Sequence, residues 1–123
     1  MVTDTIVALA TPPGRGAVAV IRLSGPDAVA VAGALTGRKA PEWIPRHATL
    51  CRIRAEEGET DLDQALVTIF PAPASYTGED LVEISTHGGY LVPRRVVEAC
   101  ISLGAREARP GEFTQRAYLN GKM

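Results

Sequence analysis

Short apolar runs separated by turn-forming residues dominate the first part of the chain. Runs rich in Val and Ile span residues 5–10 and 17–23, with the Pro- and Gly-containing segment 11–16 between them. This pattern predicts a strand, a loop and a second strand. The second run is apolar almost throughout, so we expect it to be buried on both faces.

The pattern then changes to helical spacing. The spacing predicts a helix that begins after Asp27, ends at Gly37 in a left-handed cap and has apolar positions at Ala28, Val31, Ala32 and Leu35. Residues 39–46 contain two prolines and the single Trp, and they predict a connection between elements. Residues 47–55 alternate between apolar and polar, and 62–70 form another apolar run. The acidic segment 56–59 between them predicts a hairpin.

The last third predicts one strand, a helix, a short strand and a terminal helix. The strand covers residues 81–86, and the helix covers 90–103, with Pro93 in its first turn and Gly104 at its end. A short strand follows at 106–108, and the terminal helix begins near Glu112. We therefore predict an α+β fold with a mixed sheet of about five or six strands and three helices. The pattern does not determine the strand order.

Length and composition describe one ordinary domain. The chain has 123 residues and a net charge of -1, so it has no overall basic character for binding a phosphate backbone. Its apolar runs are all shorter than the roughly 20 residues of a membrane span, and the N-terminus lacks the pattern of a signal peptide, so we expect a cytoplasmic protein. Cys51 and Cys100 are isolated, which predicts buried, reduced thiols and neither a disulfide nor a metal site.

Two charged residues interrupt apolar strands and are candidates for a binding site. An arginine such as Arg22 in an apolar strand must be paired or face a cavity, because an unpaired buried charge is costly. Its partner is either a ligand carboxylate or an internal salt bridge with Glu83 or Asp80. Glu83 lies on the strand face opposite Val82 and Ile84, and its oxygens match an amino group beside a ring N–H, as on a pterin edge. A solvent-facing strand glutamate is the alternative.

Glycine-containing segments offer weaker signals. His87-Gly88-Gly89 precedes the second long helix, so it is either a cradle of backbone N–H groups for an anion or a carbonyl, or a tight strand-to-helix turn. His87 has no acid or nucleophile partner visible in the sequence, so we assign no catalytic residue. Residues 12–16 lack the spacing of a phosphate-binding loop, and we expect no nucleotide triphosphatase site in this chain.

The terminal helix carries charges with ordinary explanations. Arg109, Glu112 and Arg116 are predicted to be capping and surface charges, and Glu112 suits the positive N-terminal end of the helix. Lys122, taken alone, is predicted to be a solvated lysine.

Three motifs, in this order, resemble one family. They are TPPGRGAVAVIRLSG near the start, PASYTGEDLVEISTHGG in the middle and ARPGEFTQRAYLNGK near the end. From about Asp4 to the last residue, the chain resembles the N-terminal domain of the MnmE family, also called TrmE, of tRNA-modifying GTPases.

The resemblance implies a single folate-binding and dimerisation domain over residues 1–123, similar to the folate-binding domain of glycine-cleavage aminomethyltransferases. It implies a homodimer and a one-carbon-substituted tetrahydrofolate as ligand, such as the 5-formyl form. By motif match, the folate-contacting residues are Arg22 in VIRLSG, Glu83 in EDLVEI and Lys122 in LNGK.

The resemblance also implies a larger parent protein. In the family, the full-length protein works with a flavin-dependent partner, MnmG or GidA, and modifies the wobble uridine of certain tRNAs, using a folate one-carbon unit and GTP hydrolysis. The helical domain, the G domain with its GTP, Mg and K ions, and the cysteine-bearing C-terminal tail are expected to lie outside this chain, so the fragment alone is expected to be inactive. Two alternatives stay open: a dimerisation scaffold without its own ligand, and a stand-alone aminomethyltransferase-like domain with Asp80 or Glu79 as its acid.

Overall fold

The computed structural model describes residues 4–12, 14–54 and 61–123. Within these residues the chain forms six strands, three α-helices and one short 3-10 helix. In chain order these are β1 (Ile6–Leu9), β2 (Gly14–Ser24), α1 (Ala28–Thr36), the 3-10 helix (Ala40–Glu42), β3 (Thr49–Arg54), β4 (Asp61–Phe70), β5 (Leu81–Gly89), α2 (Leu91–Ser102), β6 (Arg106–Glu107) and α3 (Glu112–Leu119).

The six strands form one mixed sheet in the order β3-β4-β5-β2-β1-β6. Neighbouring strands are antiparallel except β1 and β6, which run parallel. The predicted α+β fold, with a mixed sheet and three helices, is therefore confirmed. The likeness to aminomethyltransferase domains stays a prediction.

The apolar core lies between the sheet and helices α1 and α2, which pack on the central strands. Because side chains alternate along a strand, Ile21 and Leu23 of β2 face the helices together with Val82 and Ile84 of β5. Each such fully buried side chain contributes about 1.5–3 kcal/mol relative to an exposed one. The core therefore fixes β2 and β5 as neighbours in a set register.

The other face of the sheet is partly open, so the prediction that the second strand is buried on both faces is wrong. Val18, Leu50 and Leu66 lie on this face with exposures of 58%, 64% and 46%. Arg22 and Glu83 point to the same side, because each alternates with buried core residues. We call this surface the open sheet face.

The glycine segments differ most from expectation. β2 begins at Gly14, inside the predicted loop, and pairs there with Gly89 of β5. His87-Gly88-Gly89 forms the end of β5, and α2 begins at Leu91, two residues after Gly89 with its φ of 98°. Of the two alternatives, this geometry supports the tight strand-to-helix turn. A Cβ added at Gly88 would lie 1.8 Å from the carbonyl oxygen of Gly16, so glycine is required there for close approach of two strands.

The helices agree with the sequence pattern in their positions and ends. α1 is followed by Gly37 in the left-handed conformation, with a φ of 76°, and α2 has Pro93 in its first turn and Gly104 two residues after its last residue. The predicted connection at 39–46 contains the 3-10 helix, at whose start Glu42 accepts the backbone N–H of Lys39. The predicted turn at 56–59 lies outside the described residues.

Candidate functional site

An ion pair between Arg22 and Glu83 lies at the centre of the open sheet face. The two residues are cross-strand partners on β2 and β5, and Arg22 Nε donates to Glu83 Oε2 at 2.8 Å. Asp80, the other partner considered for Arg22, instead accepts the backbone N–H of Ala72 through Oδ1. The internal salt bridge with Glu83 is therefore confirmed.

The pair keeps capacity for a ligand. Its side chains are 37% and 29% exposed, for arginine and glutamate respectively. Among the described residues, Nη1 and Nη2 of Arg22 and Oε1 of Glu83 have no hydrogen-bond partner. A guanidinium edge and a carboxylate oxygen thus face solvent side by side, held by two central strands.

Arg22 also lines a cavity of about 380 Å³ between β1, β2 and the start of α3. This volume lies within the range of small-molecule sites. The wall opposite the sheet comes from residues 108–114, in which Phe113 supplies an aromatic ring and Glu112 a carboxylate. Glu83 reaches the cavity through its contact with Arg22 and does not line it.

Lys122 contacts neither Arg22 nor Glu83 and instead hydrogen-bonds to the loop between β4 and β5. Its Nζ donates to the carbonyl oxygen of Pro73 at 3.1 Å, and its backbone N–H donates to Ala117. Asn120 holds the adjacent turn by donating to the carbonyl oxygen of Thr77. The structure therefore brings Arg22 and Glu83 into contact, and it places the Lys122 side chain against the loop between β4 and β5.

A charge network centred on a buried arginine lies beside the cavity, and the sequence pattern did not predict it. Arg116 is 2% exposed, so its prediction as a surface charge is wrong. Its guanidinium donates to the backbone and side-chain oxygens of Asp4 and to Glu79. We call the connected set the Arg116 network; its members are Asp4, Ser24, Thr77, Glu79, Arg106, Glu112 and Arg116.

Glu112, the first residue of α3, is a member of this network. Glu112 lies in the first turn of α3, as predicted, but the N-cap residue Gly111 makes no side-chain capping hydrogen bond. Oε1 of Glu112 instead accepts the backbone N–H of Arg109, before the helix, at 2.9 Å, and the residue is buried and not a surface charge. Hydrogen bonds from Arg106, together with the one from Arg109, lower the pKa of Glu112 to about 2 despite burial. Hydrogen bonding to Arg106 also lowers the pKa of Asp4. Both carboxylates therefore remain charged at neutral pH.

Comparison with known proteins decides the family. The family model described as GTP-binding protein TrmE N-terminus matches residues 5–122. The chain belongs to the TrmE N-terminal family. The resemblance read from the three motifs is thereby confirmed.

Relatives of this TrmE N-terminal chain carry the name tRNA modification GTPase MnmE. The protein from Alkalilimnicola ehrlichii is 55% identical over 123 residues, covering 100% of this chain and 27% of the relative. Those from Laribacter hongkongensis and Legionella pneumophila (strain Corby) are each 51% identical, covering 98% and 100% of this chain and 26% and 27% of the relative. The chain thus spans about a quarter of the length of these relatives. Among its described residues, no helix is long and apolar enough to cross a membrane.

His87 of this TrmE N-terminal domain has an acid partner that the sequence did not reveal. Nδ1 of its ring lies 2.7 Å from Asp63 Oδ1, and its backbone N–H donates to Asp63 Oδ2. Burial alone would raise the pKa of Asp63, but the hydrogen bonds from His87 outweigh it and the net pKa is lowered. The pair ties the end of β5 to the start of β4 and has no contact with Arg22 or Glu83.

The two cysteines of the TrmE N-terminal domain are both buried and free, as predicted. Burial raises the pKa of Cys100 to about 12 and also raises that of Cys51. Because the thiolate is the reactive form, neither cysteine is suited to nucleophilic chemistry in the folded state.

Proposed function

We propose that this chain is the folate-binding and dimer-forming domain of a tRNA modification GTPase. The observation that carries the proposal is the Arg22–Glu83 pair, solvent-accessible on rigid strands beside a cavity of about 380 Å³. A structural ion pair on a sheet does not need a cavity next to it. Family membership and the names of the relatives support the tRNA-modification setting.

The donor set fits a one-carbon tetrahydrofolate such as 5-formyl-tetrahydrofolate. Glu83 would accept hydrogen bonds from the amino group and ring N–H of the pterin through its two oxygens, one of which Arg22 leaves free. Arg22 would donate its Nη groups to a ligand carbonyl or carboxylate. Lys122 would contribute a positive charge from the neighbouring loop, where a folate carboxylate is an appropriate partner.

Calorimetric titration with 5-formyl-tetrahydrofolate tests this assignment. We expect saturable binding near one ligand per chain, which Glu83→Ala abolishes while the fold and the mass in solution stay unchanged. The matched control is Glu98→Ala, because Glu98 is an exposed carboxylate that also pairs with an arginine, Arg94 of the same helix. Equal binding by both variants would remove Glu83 from the site, and no binding by the unmodified, folded chain would refute the folate assignment.

The homodimer forms, in this proposal, through the apolar part of the open sheet face, which leaves the Arg22–Glu83 pair to the ligand. Leu50 and Leu66 are cross-strand partners there and Val18 lies on the same side, all strongly exposed. Exposed apolar residues grouped on one surface are typical of interaction sites, and a two-fold axis allows one face to cover its own copy. We expect Leu66→Glu to give a monomer in light scattering and the control Leu119→Glu, on the outer side of α3, to leave the mass unchanged. A Leu66→Glu dimer would place the interface elsewhere.

The parent activity extends beyond this domain. We infer that the whole protein modifies the wobble uridine of tRNA in the cytoplasm with a flavin-dependent partner, MnmG or GidA, and that GTP, Mg and K ions bind in the G domain. This chain alone would bind folate and dimerise without turnover. Reconstituted tRNA modification that depends on Glu83 in the full-length protein would test the link.

Two other functions have less support. A dimerisation scaffold without ligand predicts that Glu83→Ala weakens the fold or the dimer and that folate does not bind. A stand-alone aminomethyltransferase needs a free acid near the one-carbon group. Glu79 is engaged by Arg116 and Ser24, and Asp80 by the backbone of Ala72, so neither suits that role.

A further inference from the structure

Helix α3 is held on the domain by charge. Of its eight residues, Glu112–Leu119, those that are buried are Glu112, Arg116 and Ala117. An eight-residue helix is unstable in isolation and depends on its contacts with the rest of the protein. The helix therefore buries a carboxylate, a guanidinium and one methyl group, and Phe113 is half-buried.

Arg116 joins three segments that are distant in sequence. Its Nη1 donates to the carbonyl oxygen of Asp4 at 2.8 Å and lies 3.1 Å from Glu79 Oε1, and its Nη2 forms salt bridges with Asp4 and Glu112. Glu79 in turn accepts from Ser24, two residues beyond Arg22 on β2. Ser24 thus connects the network to β2 two residues from Arg22, which pairs with Glu83.

Burial of the Arg116 guanidinium costs free energy, so a role in stability alone does not account for it well. Among the described residues, the Nε of Arg116 is buried without a partner. Well-packed apolar residues often stabilise a fold as well as a buried ion network does, whereas directional charge contacts fix position. What Arg116 adds is therefore a defined placement of α3.

That placement determines two parts of the candidate site. Glu112, Phe113 and Thr114, at the start of α3, line the cavity opposite Arg22. The chain leaving α3 carries Asn120 and Lys122 onto the loop between β4 and β5, where a Cβ at Gly78 would lie 2.9 Å from Asn120. Because Glu79 belongs to this loop and Arg116 to α3, their salt bridge joins the loop to the helix that leads to Asn120 and Lys122.

We propose that Arg116 is the positioning residue of this site: its salt bridges to Asp4, Glu79 and Glu112 hold the cavity wall opposite Arg22 and keep Lys122 against the loop between β4 and β5. The proposal rests on the proposed folate function for its ligand, while the docking of α3 can be measured without any ligand. If the contacts are lost, α3 and the tail detach, and part of the binding free energy must re-order them.

Hydrogen–deuterium exchange on the chain and its Arg116→Met variant tests the docking. We expect faster exchange in residues 71–80 and 112–122 of the variant, with protection of β2, β4 and β5 unchanged. The matched control is Arg94→Met, which removes an exposed arginine of α2 that forms two salt bridges, one with Glu98 and one with Glu107. Unchanged protection of α3, or an equal loss throughout the sheet, would overturn the proposal. If Arg116→Met does not fold, Glu79→Gln, which removes one of the three bridges, should show the same pattern to a smaller extent.

Titration with 5-formyl-tetrahydrofolate separates this proposal from the folate assignment. We expect Arg116→Met to weaken binding by about tenfold, with Arg94→Met unchanged. Full affinity in a variant whose α3 exchanges freely would refute the positioning role. Absence of binding by the unmodified chain would instead refute the folate function, and the exchange data would still decide whether Arg116 docks α3.

Discussion

Replacing Glu112 with glutamine keeps the shape of a buried side chain and removes its charge. In the folded chain, Oε1 accepts from Arg106 Nη1 at 3.0 Å and from the backbone N–H of Arg109 at 2.9 Å, and Oε2 accepts from Arg106 Nη2 at 2.6 Å. A glutamine can accept through one oxygen only, so its amide group would face the Arg106 guanidinium. The variant therefore loses the charged hydrogen bonding to Arg106, which is the main cause of the lowered pKa of Glu112 in the unmodified chain.

The pKa gives the size of the effect. The pKa of Glu112 falls from 4.5 to about 2 on folding, and because one pKa unit corresponds to about 1.4 kcal/mol, the charge contributes at most about 3 kcal/mol at neutral pH. Solvent reaches Arg106, whose side chain is 37% exposed, and weakens the pair. We expect Glu112→Gln to lower the free energy of unfolding by about 2 kcal/mol at pH 7.

The difference should depend on pH in a defined direction. Because folding lowers the pKa, the stabilisation is present above pH 4.5 and is lost as the pH falls through about 2, below which Glu112 becomes protonated in both states. Urea unfolding of the unmodified chain and of Glu112→Gln between pH 7 and pH 2 measures the difference in their free energies of unfolding. Contributions from carboxylates that the two proteins share cancel in this difference. Glu107→Gln is the control, since Glu107 is exposed and its pair with Arg94 is long, at 3.4 Å. A Glu112→Gln difference that is constant with pH, or no larger than the control at pH 7, would refute the reasoning.

Two further predictions concern packing and thiol chemistry. Gly88→Ala should lower the free energy of unfolding by about 3 kcal/mol or more, because the added Cβ would collide with the backbone of Gly16. The control Gly16→Ala, whose Cβ would have its nearest contact at 3.8 Å, should lower it by less than about 1 kcal/mol. Equal thermal unfolding midpoints for the two variants would contradict the strand contact. Cys51 and Cys100 should resist an aromatic disulfide reagent at pH 8 until urea unfolds the chain, since both are buried and their pKa values are raised; rapid labelling of either native thiol would contradict their burial.

Local periodicity predicted the elements of this fold because the core is formed by alternation. Val82 and Ile84 are buried and Glu83 between them is not, as a two-residue period requires. The spacing in α2 likewise located Leu91–Ser102 to within one residue at each end of the predicted 90–103. Arg22 and Glu83 could be selected for the same reason, because a charge in an apolar strand stands out against the pattern.

Features that depend on distant contacts could not be predicted in this way. The glycines at 88 and 89 have the local pattern of a turn, and only the approach of β2 extends β5 through them. Arg116 has an acidic neighbour four residues earlier, Glu112, which fits a surface pair equally well. Its burial depends on Asp4, which is 112 positions away in the sequence, and on Glu79.

The two parts of the candidate site are therefore stabilised by different forces. Arg22 and Glu83 lie on central strands whose opposite face is the apolar core, so their positions depend on hydrophobic burial and should persist until the domain unfolds. The cavity wall and Lys122 depend on α3, which is held by ion pairs. Protonation of Asp4 and Glu112 would weaken that docking while leaving the Ile21 and Ile84 packing intact. Because a ligand in the cavity would contact both parts, its binding should slow hydrogen exchange mainly in α3, where opening costs the least free energy.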